Sequence, residues 1–135
     1  MKTVYFGGTW DITNAGHIRG MRLAASYGRL VVGVNSDKLV HEERGRDPVI
    51  PYSQRVEIVS AIRWVDTTIP IDDIYALPYL KELDADVYVL TEEWKERQKE
   101  AIDWMEEQGR LVVYSPRWED VLCSSDIRKR VKELT

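Results

Sequence analysis

Apolar positions in this chain follow two periods that alternate along its length. Short β-branched or aromatic runs have the length and composition of strands: Lys2 to Phe6, Leu30 to Asn35, Thr67 to Ile71, Val87 to Leu90 and Leu111 to Tyr114. Leu30 to Asn35 is almost wholly apolar, as expected of a strand covered on both faces. Between the runs lie stretches at helical spacing. His17 to Tyr27 would set Ile18, Met21 and Ala25 on one face, with Gly28 placed to close it in a left-handed conformation. A short helix is expected from about Asp37 to Glu43, then an Arg/Gly/Pro loop to Pro51. Ser53 is the expected N-cap of a helix that turns Val56, Val59 and Ile62 inward. Ile74 to Leu83, a charged and largely solvated Lys95 to Gln108 closed by Gly109, and Ser124 to Leu134 complete the helices.

Strand and helix in regular alternation predict one α/β domain over residues 1–135. Its core would be a doubly wound, Rossmann-like five-stranded parallel sheet with helices on both faces. Ligands of such sheets sit beyond the carboxyl ends of the strands, where the strand order reverses. The loops after the first, second, fourth and fifth strands are therefore where chemistry is sought.

Composition narrows the partners. Net charge is −4, so nothing in the overall balance points to nucleic acid. Cys123 is the only cysteine, which excludes an intramolecular disulfide and a multi-cysteine zinc site. No apolar run reaches membrane-spanning length and no signal-peptide core is present, so no membrane insertion and a cytoplasmic location are expected.

The first loop carries the densest signal. Gly7-Gly8-Thr9-Trp10-Asp11-Ile12-Thr13-Asn14-Ala15-Gly16-His17 joins a strand to a helix. Glycines allow a sharp turn and leave amides open to an anion, and the helix N-terminus adds its positive dipole end. His17 in the first turn can donate from its ring to a phosphate oxygen and stabilise charge on a departing pyrophosphate.

This string resembles the G-x-x-D-x-x-H-x-G-H signature of the cytidylyltransferase-like nucleotidyltransferases, and the resemblance extends over nearly the whole chain. Val34-Asn35-Ser36-Asp37 resembles the family's second-strand end, and Arg44 to Pro51 its basic loop. Arg55 with Ala61-Ile62-Arg63-Trp64-Val65-Asp66 resembles the R…AI(R/K)xVD segment. Arg117 with Cys123-Ser124-Ser125-Asp126-Ile127 resembles the R-T-x-G-(I/C)-S-(T/S)-(T/S)-x-I element. Within the family, length and spacing are most similar to bacterial glycerol-3-phosphate cytidylyltransferases. The VNSD string and the RxPV loop are similar to heptose-phosphate adenylyltransferase domains.

The resemblance implies transfer of CMP from CTP to a small phosphorylated alcohol, with Mg²⁺ accompanying the triphosphate, by a homodimer. An adenylyltransferase of the same fold, using ATP and a sugar-phosphate-like acceptor, is the alternative. A nucleotide-binding protein with weakened catalysis is a third reading. No enzyme nucleophile is needed, because the acceptor phosphate is one; catalysis is positioning and charge neutralisation.

By resemblance, His17, Asn14, Arg63 and Arg46 would be catalytic. Gly8, Thr9, Trp10, Asn14, Gly16, His17, Arg46, Arg117, Ser124 and Ser125 would hold the nucleotide. Asp11, Arg44, Arg55, Arg63, Asp66 and Trp94 would meet the acceptor. The sequence assigns no metal ligands. Asn14 stands where the family's first histidine is usual; it can donate a hydrogen bond but cannot carry positive charge. Trp118 to Cys123 lacks the family's glycine and brings two acidic residues, Glu119 and Asp120.

Overall fold

The computed structural model describes all 135 residues. Strands β1 (Thr3–Gly8), β2 (Arg29–Asn35), β3 (Thr67–Ile71), β4 (Val87–Thr91) and β5 (Leu111–Ser115) form one sheet in the order β3-β2-β1-β4-β5. Every pairing is parallel. The helices are α1 (Ala15–Ala25), α2 (Asp37–Arg44), α3 (Tyr52–Ser60), α4 (Leu77–Leu83), α5 (Lys99–Glu107) and α6 (Ser124–Leu134). The doubly wound parallel sheet expected from the sequence is thus the observed architecture, and its strand order reverses between β1 and β4.

Period-two alternation sorts the strand side chains onto two faces. Val4 and Phe6, with Val32, Val34, Val87 and Val89, pack against Met21 and Ala24 of α1 and Val59 of α3. Tyr5, Tyr88 and Leu90 face the other way, against Leu80 of α4 and Ala101, Ile102 and Met105 of α5. Full burial of each such aliphatic side chain is worth about 1.5–3 kcal/mol, so the two layers supply the main cohesion. The charged stretch read as a solvated face is solvated on one side only, since Ala101, Ile102 and Met105 are its buried stripe. No helix is long and apolar enough to cross a membrane.

Several boundaries differ from the sequence reading for local reasons. α1 starts at Ala15 and turns Gly20, Met21 and Ala24 to the core, leaving Ile18 exposed. The N-cap of α3 is Pro51, not Ser53, and no side chain caps it. α4 begins only at Leu77, with Pro78 in its first turn, where the missing N–H costs nothing. α5 begins at Lys99, after a single 3₁₀ turn over Glu92–Trp94.

Gly28 does not close α1. The helix ends at Ser26 in a right-handed conformation, and Gly28 has φ +156°. There a Cβ would lie 2.3 Å from the Lys2 carbonyl oxygen. The close approach lets the Arg29 amide donate to that oxygen at 2.8 Å and start the β1–β2 register. Gly28→Ala is expected to destabilise the fold by about 2 kcal/mol, through overpacking and an unfavourable φ. The check is a urea melt, in which the midpoint drops while the slope m stays constant.

Candidate functional site

A cleft of ≈1060 Å³ opens over the carboxyl ends of β1, β4 and β5, at the point where the strand order reverses. Its floor is the loop from Thr9 to Asn14. Two non-glycine residues there hold positive φ, Trp10 at +56° and Ile12 at +50°. A β-branched residue in that region is strained, and the surroundings must over-determine it. They do. The Trp10 indole donates to the Gly33 carbonyl at 2.8 Å and packs edge-on against Phe6 and the His17 ring. Thr13 Oγ1 donates to the Trp10 carbonyl, and Asn35 Nδ2 donates to Thr9 Oγ1 at 3.1 Å.

Asn14 is the junction of the site. Its Oδ1 accepts from the amides of Gly16 (3.0 Å) and His17 (3.4 Å), capping α1. Its Nδ2 donates to the Ile12 carbonyl (3.1 Å) and to Ser124 Oγ (3.3 Å). A side-chain amide has two donors and two acceptor sites, and here all four are engaged. In this structure the hydrogen-bonding capacity of the Asn14 side chain is spent inside the protein, where it joins the N-termini of α1 and α6. Ser124 Oγ completes the joint by donating to the Asp11 carbonyl at 2.7 Å.

His17 returns the cap. Its Nδ1 accepts the Asn14 amide at 3.3 Å, which puts the ring proton on Nε2. Burial, only partly opposed by the nearby Asp11 carboxylate, pushes its pKa down from 6.5 to about 4. At neutral pH the ring is thus an uncharged Nε2–H donor lining the cleft.

Two residues expected to bind the acceptor are used inside the protein. Asp11 is 4% exposed, and its carboxylate accepts from the amides of Val49 (2.8 Å) and Ile50 (2.9 Å). Arg55 is completely buried. Its Nε donates to the Ile50 carbonyl at 2.8 Å, Nη1 to the Thr9 carbonyl at 2.6 Å, and Nη2 to Asp37 at 2.7 Å. Asp11 and Arg55 therefore clamp the loop before α3 onto the cleft floor. A buried guanidinium persists only with such partners.

Arg63 and Asp66 are not brought to the cleft. α3 runs antiparallel to the strands, so its C-terminal end lies at the amino edge of the sheet. Arg63 stacks there on Trp64, and Asp66, which leads into β3, pairs with Arg29. Arg46 also lies outside the cleft, in a separate cavity beside it. Gly8, Thr9, Trp10, Gly16, Arg44, Trp94, Arg117, Ser124 and Ser125 do line the cleft. Cys123 and Asp126 cap α6, the Asp126 carboxyl accepting from the Cys123 thiol and amide at 3.1 Å. Those bonds hold its pKa below the usual carboxylate value.

The motif reading gives Arg128 no role, although it is among the arginines the composition offers for a basic polyphosphate pocket. It stands one helical turn beyond Ser124 and Ser125, lines the cleft, and has a buried Nη1 with no hydrogen-bond partner. Such an unpaired guanidinium N–H costs free energy until an anion meets it. Spacing of three to four residues from the two serines was the available signal. Gln98, given no role either, is buried and holds the loop before α4 through Ile74 and Ala76. On that side of the cleft stand Asp73, Glu92, Glu93 and the half-buried Trp94. No three His, Cys, Asp or Glu side chains converge as a metal-binding group.

Two outcomes test this geometry. Arg55→Met should cost about 3–5 kcal/mol, because it leaves Asp37 and two carbonyls unpaired; equilibrium unfolding measures it. His17 resists protonation when folded but takes a proton near pH 6.5 when unfolded. Its contribution to stability is then complete above pH 6.5 and lost as the pH falls toward about 4. Comparing urea midpoints of the parent and His17→Gln at pH 7 and pH 4.5 isolates that loss, and the gap between them should shrink in acid.

Comparisons with known proteins agree with this architecture. The cytidylyltransferase-like family model matches residues 5–130. FAD synthase of Methanohalophilus mahii is 32% identical over 138 aligned positions, covering 98% of this chain and 96% of that one. FAD synthase of Pyrococcus horikoshii is 37% identical over 89 residues, covering 64% and 60%. Bifunctional protein HldE of Hydrogenovibrio crunogenus is 31% identical over 120 residues, covering 87% of this chain. The chain spans 60% of the Pyrococcus relative's length and 25% of HldE's. Among solved structures, the lipopolysaccharide core biosynthesis protein of Thermoplasma volcanium superposes with TM-score 0.74 at 23% identity, over 88% of this chain and 99% of that one. At that identity the likeness is one of fold.

Proposed function

The chain belongs to the cytidylyltransferase-like nucleotidyltransferase family, and from that premise we propose that it transfers AMP from ATP to a small phosphorylated acceptor. The observation that carries the reading is the cleft wall made by the joined N-termini of α1 and α6, with His17 Nε2–H and the unpaired Arg128 Nη1 lining it. Those are donors, and the carboxylates beside them, Asp11 and Asp126, are taken up by backbone amides, as suits phosphoryl chemistry by positioning. An oxygen of the acceptor phosphate attacks the α-phosphorus, the bond to the β-phosphate oxygen breaks, and pyrophosphate leaves. His17, neutral, donates to a phosphate oxygen; Arg128, Arg117 and the amides opening α6 balance negative charge.

The FAD synthase relatives favour ATP over the CTP implied by the resemblance to glycerol-3-phosphate cytidylyltransferases, and with it the adenylyltransferase alternative. They also put flavin mononucleotide first among acceptors to try, ahead of sugar phosphates and glycerol 3-phosphate. Asp73, Glu92 and Glu93 line the far side of the cleft, where their oxygens suit hydroxyl groups of such an acceptor. Mg²⁺ would enter with the triphosphate and offset part of its charge; no three His, Cys, Asp or Glu side chains are grouped to hold it alone. A cytoplasmic homodimer remains part of the reading, by resemblance.

The test is pyrophosphate release with each of four nucleoside triphosphates across that acceptor panel. ATP-dependent release supports the proposal; release with CTP alone returns the cytidylyltransferase reading. Nucleotide binding with no release from any pair makes the protein a binder. His17→Ala should lower turnover by about 10²–10³-fold, the usual cost of a lost oxyanion donor. It should keep the far-ultraviolet circular dichroism of the parent.

A further inference from the structure

The cleft opens onto both faces of the sheet. Phe6, Trp10 and the α1 residue His17 line it on one face; Tyr5, Tyr88 and Leu90 line it on the other, beside α4 and α5. The phosphate donors named above all belong to the first half. In the second half, most polar groups are already matched. Gln98 spends its amide on the Ile74 carbonyl (2.7 Å) and the Ala76 amide (2.9 Å). The Tyr79 hydroxyl accepts from the amides of Asp72 (2.9 Å) and Asp73 (3.0 Å).

Tyr5 and Tyr88 differ from Tyr79. They face each other in the β1–β4 register, 2% and 3% exposed, with ring centroids 6.1 Å apart and planes 27° from parallel. Neither hydroxyl hydrogen-bonds to a protein group. Arg128 Nη1 is the one side-chain polar atom both sealed from solvent and unpaired, so these two hydroxyls keep contact with the cleft they line. Room for the Tyr5 hydroxyl comes from Gly7 and Gly33, partners in the β1–β2 register, where a Cβ on either would come within 2.6 Å of it. Burial raises both phenols above their ordinary pKa, so both keep their protons at neutral pH. Two buried O–H groups without partners cost free energy until a ligand supplies acceptors. Around them the wall is apolar or aromatic, with Ile74, Leu90, Tyr114 and the half-buried Trp94, while Asp73, Glu92 and Glu93 stand exposed at the mouth.

We propose that this half of the cleft selects a phosphorylated acceptor with a planar heteroaromatic body, whose edge carbonyl or ring-nitrogen atoms accept from the Tyr5 and Tyr88 hydroxyls. The inference deepens the nucleotidyl-transfer reading and rests on it for the phosphate end of the acceptor. A flat ring covers the aromatic wall and satisfies both phenols together. An acyclic polyol phosphate would bring several hydroxyls to a wall with two free polar partners and leave the rest unpaired. The exposed carboxylates at the mouth remain for hydroxyls on the link between ring and phosphate.

The test uses the full chain and the variants Tyr5→Phe, Tyr88→Phe and Y5F/Y88F, which keep both rings and remove only the oxygens. Flavin mononucleotide and riboflavin are titrated by quenching of flavin fluorescence, with and without α,β-methylene-ATP and Mg²⁺. Glycerol 3-phosphate and ribitol 5-phosphate compete against them. Both flavins should bind, and each polyol phosphate should bind at least roughly tenfold more weakly than flavin mononucleotide. Flavin affinity should fall about three- to tenfold in each single variant and about 10–30-fold in the double one. The urea midpoint of the double variant should stay level or rise, because its lost hydroxyls had no protein partner. Unchanged flavin affinity in Y5F/Y88F overturns the proposal, as does a polyol phosphate that binds as tightly as flavin mononucleotide. A lowered urea midpoint also overturns it, by giving the hydroxyls a structural role. Flavin binding that depends on both phenols, with no pyrophosphate release from any nucleoside triphosphate, removes nucleotidyl transfer and leaves the ring pocket standing. Pyrophosphate release as fast with glycerol 3-phosphate as with flavin mononucleotide does the reverse.

Discussion

One side chain joins the two helix N-termini on which the site is built. Asn14 caps α1 through Oδ1 and reaches α6 through Nδ2, so two dipoles from opposite ends of the sequence meet at one point. Ser124 closes the joint onto the Asp11 carbonyl. Each bond is ordinary in strength, about 1 kcal/mol net. What matters is that they are mutually dependent: moving Asn14 would free Oδ1 from α1, Nδ2 from α6, and the backbone amide that fixes the His17 tautomer. The geometry of the cleft wall is thus set by groups whose hydrogen bonds are made inside the protein.

The loop that carries this joint is strained at Trp10 and Ile12 and is held by clamps from three other segments. Asp11 grips two amides of the loop before α3, Arg55 grips carbonyls on both loops, and Trp10 is anchored to β2. Charges that look like binding groups in the sequence are consumed as fasteners. The donors left over are few and well placed: a neutral His17 Nε2–H, the Arg128 guanidinium and the opening amides of α6. A rigid floor with a handful of unpaired donors suits a reaction whose barrier is lowered by orientation rather than by covalent participation.

Much of this was legible in the residues. The strands, their alternation and the glycine-rich first loop followed from periodicity and turn chemistry, and Ser124 with Ser125 was placed on the cleft from the last helix. Other features depended on what only three dimensions supply. Arg55 and Asp11 carry charges typical of ligand contacts, and nothing local says that Thr9, Ile50 and Val49 will come to them. Gly28 looked like a helix terminator because the approach of Lys2 is nonlocal. Asp66 and Arg63 are different: a residue leading into a parallel strand sits at the amino edge of the sheet, so strand direction alone places both outside the cleft. Arg128 was likewise within reach, being one turn from the serines already singled out.

The central claim is that nucleotide phosphates are received by His17 Nε2–H at the α1–α6 junction. Histidine-selective ¹⁵N NMR at pH 7 during titration with ATP and Mg²⁺ tests it most directly. The account predicts an Nε2-protonated neutral ring in the free protein, an Nε2 resonance that moves strongly on saturation, and an Nδ1 that stays unprotonated. An Nε2 signal unmoved at saturating ATP, or a ring already protonated at Nδ1 before ATP is added, would contradict it.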